Sequence, residues 1–350
     1  MKIENGILLI YTGGTIGMVQ NPVTGVLEPF NFSQISDQVP ELSRMGSKIE
    51  TYPFNPPVDS SNITPEVWKQ LADLIYANYN KYDGFVILHG SDTMSYTASA
   101  LSFMLEDLQK PVILTGSQLP IGVLRTDGKE NLLTAIEIAA AKRKDGNPAV
   151  PEVCVYFEFK LYRGNRTTKH NAEHFNAFMS ANYPPLAEAG VHIKYNYSNI
   201  YYPRRRKQLT IFKNLDTRVA ILKLFPGITP ELIKAVLLSE HIKGIVLETF
   251  GSGNALTEQW FLDIIKESIE KGKVIYNITQ CTAGSVIPGK YSTGRLLPEL
   301  GVAAGYDITS EAAITKLMYL LGKKLSNSQI VNYLQSDIAG ELNANDHSEK

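Results

Sequence analysis

Cysteine is almost missing from this chain of 350 residues: Cys154 and Cys281 are its only two, far apart and in no Cys-x-x-Cys pair. They can build neither a disulfide framework nor a thiolate zinc site, and the scarcity fits a reducing compartment, so a cytoplasmic protein is expected. Net charge is just as scarce. Lys and Arg number 34 against 35 Asp and Glu, a balance of -1, without the cationic excess that binds nucleic acid by counterion release. No apolar run approaches the ~20 residues a membrane-spanning helix needs. The run from Ile7 to Tyr11 ends in glycines too soon for a signal-peptide core, and no lipidation motif opens or closes the chain. The expectation is a protein with no nucleic acid and no membrane among its partners.

What is present is ordinary globular material, 44% hydrophobic and 20% charged, in a length that exceeds one core and predicts about two domains. Short apolar runs bounded by turn residues alternate with helix-period segments, the pattern of an α/β protein with a mostly parallel, doubly wound sheet. Strands are predicted over 7–11, 85–89, 112–115 and 153–157, and a second series over 219–223, 244–248 and 274–278. Thr64-Pro65-Glu66 and Thr229-Pro230-Glu231 each read as a helix start: N-cap, proline at the first helical position, acid in the first turn. The domain boundaries that follow are a larger N-terminal domain over 1–194, a linker over 195–216, a smaller C-terminal α/β domain over 217–342 and a polar tail over 343–350. The linker holds the basic run Arg204-Arg205-Arg206-Lys207, read as a solvated face.

Three segments carry chemistry. The first strand runs into Thr12-Gly13-Gly14-Thr15-Ile16-Gly17, where adjacent glycines permit a sharp turn and close approach of a ligand, with Thr15 at the carboxyl edge of the sheet. The segment lacks both the Gly-Lys-Ser/Thr of a phosphate loop and the Gly-x-Gly-x-x-Gly spacing of a dinucleotide loop. Met18 to Pro29 follows as a flap rather than a helix. The second segment, His89-Gly90-Ser91-Asp92-Thr93-Met94, again puts a glycine, hydroxyls and a carboxylate where a strand gives way to a helix. Taken alone, Ser91 and Asp92 there read first as helix caps, with an acid–base role as the alternative. The third, Arg163-Gly164-Asn165-Arg166-Thr167-Thr168-Lys169, offers a lysine that is either a surface charge or a partner for Asp92.

Together the three segments resemble the bacterial-type asparaginase family, and the likeness to its type I, cytoplasmic branch spans nearly the whole chain. The resemblance implies that Thr15 is the nucleophile and that Ser91, Asp92 and Lys169 form a proton relay. It implies further that Asp59-Ser60-Ser61 grips the α-amino and α-carboxyl groups of L-asparagine, with Gly14 and Gly90 at the turns lining the substrate. Gly251-Ser252-Gly253-Asn254 looks like the family segment lent to a neighbouring protomer's site, which implies a homodimer or a dimer-of-dimers tetramer. A regulatory asparagine site is implied near Thr168 and near Asn277 to Cys281. No cofactor and no metal is implied.

Three departures stand out. Ser91 replaces the usual threonine, keeping the hydroxyl and losing the β-branch that stiffens χ1. Met18 to Phe30 contains no tyrosine, although the family places one on the flap against the nucleophile. Glu248 stands where an arginine would be expected for a regulatory ligand's carboxylate, reversing the charge. Other readings compete. His170 and His174, four apart, would share a helix face as zinc ligands; Gly251-Ser252-Gly253 would open a dinucleotide loop; and Cys281 would be a thiol nucleophile. Beside an amidohydrolase, two further functions are a tRNA-dependent amidotransferase component and a non-catalytic asparagine sensor. The former would need an added N-terminal domain, whereas the first strand here begins at once.

Overall fold

The computed structural model describes all residues except 1–5, 21–23, 26, 30–34, 36–38, 204–206, 289–294 and 345–350, together with the side chains of 19, 20 and 27–29. The chain divides into two compact units, Met1–Ile211 and Phe212–Lys350.

The first unit is built on an eight-stranded sheet. In chain order its strands are β1 Gly6–Tyr11, β2 Lys48–Pro53, β3 Gly84–Leu88, β4 Val112–Thr115, β5 Val153–Phe157, β6 Lys160–Arg163, β7 Ala187–Ala189 and β8 Ile193–Tyr195. Their spatial order is β8-β7-β6-β5-β4-β3-β1-β2. The five strands from β2 to β5 pair in parallel, and the hairpin to β6 begins an antiparallel edge. Strands β1, β3, β4 and β5 are buried along their whole length, as continuous apolar runs must be when both faces of a sheet are covered. One face carries Ile7, Leu9, Val86, Leu88 and Ile113 against Leu132, Ala135 and Ile136 of the helix Gly128–Ala140. Helix α1, Pro65–Asn78, turns Val67, Trp68, Leu71, Ala72 and Ile75 inward at i, i+1, i+4 spacing. Helix α2, Met94–Met104, packs beside it and against β5.

The second unit holds a four-stranded parallel sheet, Val219–Lys223, Gly244–Thr249, Val274–Thr279 and Ala303–Ala304, in chain order across the sheet. Its core gathers Leu222, Ile233, Leu237, Ile245, Leu247, Phe261, Ile264 and Ile275.

The predicted strands are found within one residue at their ends, but β2 and the antiparallel edge β6 to β8 were not anticipated. The two Thr-Pro-Glu starts differ: Thr229 accepts from the Leu232 N–H, while the Thr64 side chain caps nothing, leaving Pro65 and Glu66 to mark that start. The span 195–216 is more than a connection. Ile200 is buried in the first unit's core, the Tyr202 hydroxyl donates to Ala149 O at 2.6 Å, and Thr210–Ile211 pairs antiparallel with Leu105–Glu106. The apolar residues in a segment without period are what tie it down. Arg204 to Arg206 and residues 345–350 of the tail lie outside the described residues. Among the described residues no helix is long and apolar enough to cross a membrane.

Candidate active site

Register places the site. Tyr11 pairs with Leu88 and Leu88 with Thr115, so β1, β3 and β4 end in line and release their loops at one edge of the sheet. The first strand's continuation is anchored there by the Thr12 N–H and hydroxyl, both donating to Leu88 O at 3.0 Å. Gly13 and Gly14 follow with φ of 140° and 92°, in the region that favours glycine. Space is as restrictive as conformation: a Cβ on Gly14 would lie 2.6 Å from the Gly90 backbone, and one on Gly90 would lie 2.6 Å from the Ser60 side chain. The loops that begin at Thr12, His89 and Phe54 therefore meet backbone to backbone, with Thr15 opening a single 3-10 turn beside them. Thr93 pins the third loop by donating from its hydroxyl to Ser60 O at 2.7 Å. Within that loop Asp59 Oδ1 accepts from the Ser61 N–H and hydroxyl, which holds its carboxyl below the usual carboxylate range.

Lys169 reaches this edge from the far side of the hairpin β5–β6. Its Nζ donates to Ser91 Oγ at 2.9 Å and to Asp92 Oδ1 at 2.6 Å, the lysine side chain being 17% exposed and the aspartate 63%. Neither Ser91 nor Asp92 caps the helix that follows, since no side-chain cap bond is formed at Gly90 or Thr93. Lys169 is held in turn by the two-residue pairing of Thr168–Lys169 with Phe178–Met179. Behind it, buried Arg163 forms a two-pronged pair with buried Glu152 at 2.6 and 3.2 Å and donates to Asn199 O, while Thr167 donates to Arg163 O. The third segment thus contributes its lysine to the site and spends its arginines on the scaffold.

Several residues at this edge were not singled out in the sequence. Gln118, three residues past the end of β4, accepts from Ser91 Oγ at 3.3 Å and donates to Ala172 O and His174 O. Asp127 takes the Gln118 and Leu119 N–H groups, its carboxyl pushed up by burial. The carboxyl end of a central parallel strand was the available signal for Gln118. His89 is buried, and burial pulls its imidazole down to about 4. Tyr11 lies beneath the first turn, its hydroxyl donating to Gly14 O at 3.4 Å and burial pushing it up to about 12. The flap forms a hairpin of Met18–Gln20 with Leu27–Pro29, and 21–23 and 26 lie outside the described residues.

Two competing readings fail on geometry. His170 and His174 share no helix face: 170–177 is a turn in which Asn171 Oδ1 accepts from the Glu173 and His174 N–H groups. Among the described residues no group of three His, Cys, Asp or Glu is placed to hold a metal. Gly251-Ser252-Gly253 opens no helix; Phe250 and Asn254 exchange backbone hydrogen bonds at 2.9 and 2.8 Å around a tight turn, and helix begins only at Gln259. In the second unit Glu248 accepts from the Ser310 hydroxyl and lies 3.9 Å from Lys223 Nζ. Cys281 is exposed just past the strand Val274–Thr279, its N–H bonded to Thr279 Oγ1. Cys281→Ser is expected to leave kcat unchanged; a folded but inactive variant would restore the thiol reading.

Residues 6–201 match the family model described as asparaginase, N-terminal, and 218–334 match the glutaminase/asparaginase C-terminal domain. The chain belongs to the asparaginase family. It is 42% identical over 349 residues to L-asparaginase 1 of Escherichia coli (strain K12), covering 98% of this chain and 99% of that one. The crystal structure of L-asparaginase I from Vibrio cholerae O1 biovar eltor str. N16961 superposes with a TM-score of 0.87 at 40% identity, covering 97% and 99%. A more distant family member, a glutamyl-tRNA(Gln) amidotransferase component from Sulfurisphaera tokodaii, is 32% identical over 355 residues, covering 98% of this chain and 76% of that one.

Proposed function

We propose that this asparaginase-family chain hydrolyses L-asparagine to L-aspartate and ammonia through a threonyl acyl-enzyme, with minor turnover of glutamine, as a cytoplasmic enzyme. The carrying observation is the cluster in which Lys169 holds both Ser91 and Asp92 beside the turn that presents Thr15. Thr15 Oγ attacks the side-chain amide carbon. The oxyanion that forms is met by backbone N–H groups of the two glycine turns; among the described residues, no hydrogen bond engages the N–H of Thr15 or of Ser91. Lys169, with its ammonium held by the Asp92 carboxylate, supplies the proton on which ammonia departs and takes up in its place, through Ser91, the proton that Thr15 Oγ gives up as its C–O bond forms, leaving a β-aspartyl ester. Water then adds to the ester carbon, its proton passing through Ser91 and Lys169 to Thr15 Oγ as the ester C–O bond breaks and L-aspartate is released. Asp59 and the Ser60-Ser61 loop receive the α-amino and α-carboxyl groups, the depressed Asp59 carboxyl remaining anionic for the ammonium. Asn254 completes the pocket of a second copy, so the active species is a homodimer or a dimer of dimers. Thr168, Glu248 and Cys281 are read as regulatory residues, with Glu248 reversing the charge that would recognise a ligand's carboxylate.

Ammonia release from asparagine and glutamine over a wide concentration range tests this reading, and no turnover would leave the sensor. The amidotransferase relative favours a second reading, in which release requires a misacylated tRNA. Because the steps use hydroxyls, an ammonium and a carboxylate, dialysis against a chelator is expected to leave the rate unchanged; a loss restored by zinc would contradict the mechanism.

Ser91 gives a graded test. Ser91→Ala is expected to lower kcat roughly 10²-fold, the size of an acid–base contribution. Ser91→Thr keeps or raises activity by restoring the χ1 restriction, and Ser91→Val, with the branch but no oxygen, behaves like alanine. A folded, active Ser91→Val enzyme would remove Ser91 from the relay.

A further inference from the structure

His89 takes part in none of these steps, yet both of its ring nitrogens are engaged. Nδ1 lies 2.7 Å from Gly90 O and Nε2 lies 2.9 Å from Thr97 Oγ1. A carbonyl oxygen only accepts, so the proton resides on Nδ1; the neutral ring then accepts at Nε2, and the Thr97 hydroxyl donates to it. Thr97 Oγ1 accepts in turn from the Trp68 indole N–H at 3.0 Å, a group that only donates. Every proton from Trp68 through Thr97 and His89 to Gly90 O therefore has one direction. The chain of bonds is buried from end to end, and Trp68 and Thr97 stand on α1 and α2, the helices packed over the sheet. Its last acceptor is the carbonyl of the peptide that carries the Ser91 N–H. That peptide is trans, so fixing its C=O toward His89 fixes the Ser91 N–H on the opposite edge. Gly90 has no side chain of its own to hold this orientation, because Ser60 occupies the space that a Cβ would need.

We propose that His89, locked as the neutral Nδ1–H tautomer by Thr97 and Trp68, is a positioning residue that fixes the Gly90–Ser91 peptide and so aims the Ser91 N–H and hydroxyl at the reacting amide. The role deepens the amidohydrolase reading and rests on it. It explains why a histidine precedes the glycine turn without itself exchanging a proton with substrate.

Two measurements test it. Long-range 1H–15N correlation of histidine-labelled wild-type protein near neutral pH is expected to show one ring as the neutral Nδ1–H tautomer, assigned to His89 by its loss in His89→Asn. An Nε2–H or cationic ring there overturns the proposal without reference to activity. In kinetics, His89→Leu is expected to lower kcat roughly 10²-fold with little change in KM, the cost of a small misplacement at the reacting centre. His89→Asn, whose amide N–H stands where Nδ1–H stood, recovers most of that loss. Thr97→Val, which removes the donor that holds the tautomer, lowers kcat in the same direction and serves if His89→Leu does not fold. Wild-type kcat in folded His89→Leu or Thr97→Val, or an Asn variant as impaired as the Leu one, overturns the positioning role. A wild-type enzyme that releases no ammonia is a different failure, of the amidohydrolase reading itself, seen before any variant is made.

Discussion

Thr15→Ala is expected to lower kcat by about 10³-fold or more, because the proposed acyl-enzyme cannot form without its oxygen. The neighbouring hydroxyls cannot take over. Thr12 Oγ1 is committed to Leu88 O, Ser60 is buried against Gly90, and Ser91 lies between Lys169 and Gln118. The fold should survive, since the left-handed backbone that shapes this turn belongs to Gly13 and Gly14 and not to Thr15. Two readouts check it: steady-state ammonia release, and mass spectrometry of acid-quenched enzyme, where wild type shows a β-aspartyl adduct and the variant none. Retention of a tenth of the wild-type kcat would sink the assignment.

The largest expected loss of stability lies in the second unit. Lys316 and Glu341 form an ion pair at 2.6 Å with both side chains fully buried. Each charge is otherwise well met: Lys316 Nζ donates to Leu334 O and Ser336 O, and Glu341 accepts from the N–H groups of Ile338 and Ala339. Burial alone would push the Glu341 carboxyl up, but the Lys316 charge and these hydrogen bonds outweigh it and leave the carboxyl below its ordinary value. Glu341→Gln strands a buried ammonium and is expected to cost about 3–5 kcal/mol, read as a lower urea midpoint. Pairing Glu341→Leu with Lys316→Met recovers most of this, because both desolvated charges are then gone. With the folded carboxyl depressed, its contribution is complete above the unfolded pKa of about 4.3 and is lost as pH falls through the folded value. A Glu341→Gln protein with the wild-type midpoint would show that the pair contributes nothing.

Much of the candidate site was legible because its proposed residues sit where local chemistry is distinctive. Thr15, Gly90, Ser91 and Asp92 follow buried strands directly, so a short apolar run ending in glycine, hydroxyl and acid marks them without tertiary information. Lys169 was visible as a candidate, but its partner was not: 77 residues separate it from Asp92, and only the β5–β6 hairpin brings them together. Gln118 and His89 escaped for a different reason. A glutamine in a loop and a histidine at a strand end carry no pattern of their own, and their roles arise from what lies opposite. The zinc reading of His170 and His174 failed because spacing implies a shared face only on a helix, and this segment is a turn.

By itself the sequence determined the α/β class, the parallel core strands and the segments that carry hydroxyls, acid and lysine, because burial on both faces of a strand and the backbone needs of glycine are local properties of the chain. The tertiary structure alone decided which of these segments meet. The registers that align Tyr11, Leu88 and Thr115, the backbone contact of Gly14 with Gly90 and Ser60, the Lys169 clasp on Ser91 and Asp92, and the single proton direction from Trp68 to Gly90 O are long-range pairings. Composition cannot encode them, since each partner alone would be equally satisfied by water or by a cap, and only packing of the sheet and its helices removes those alternatives.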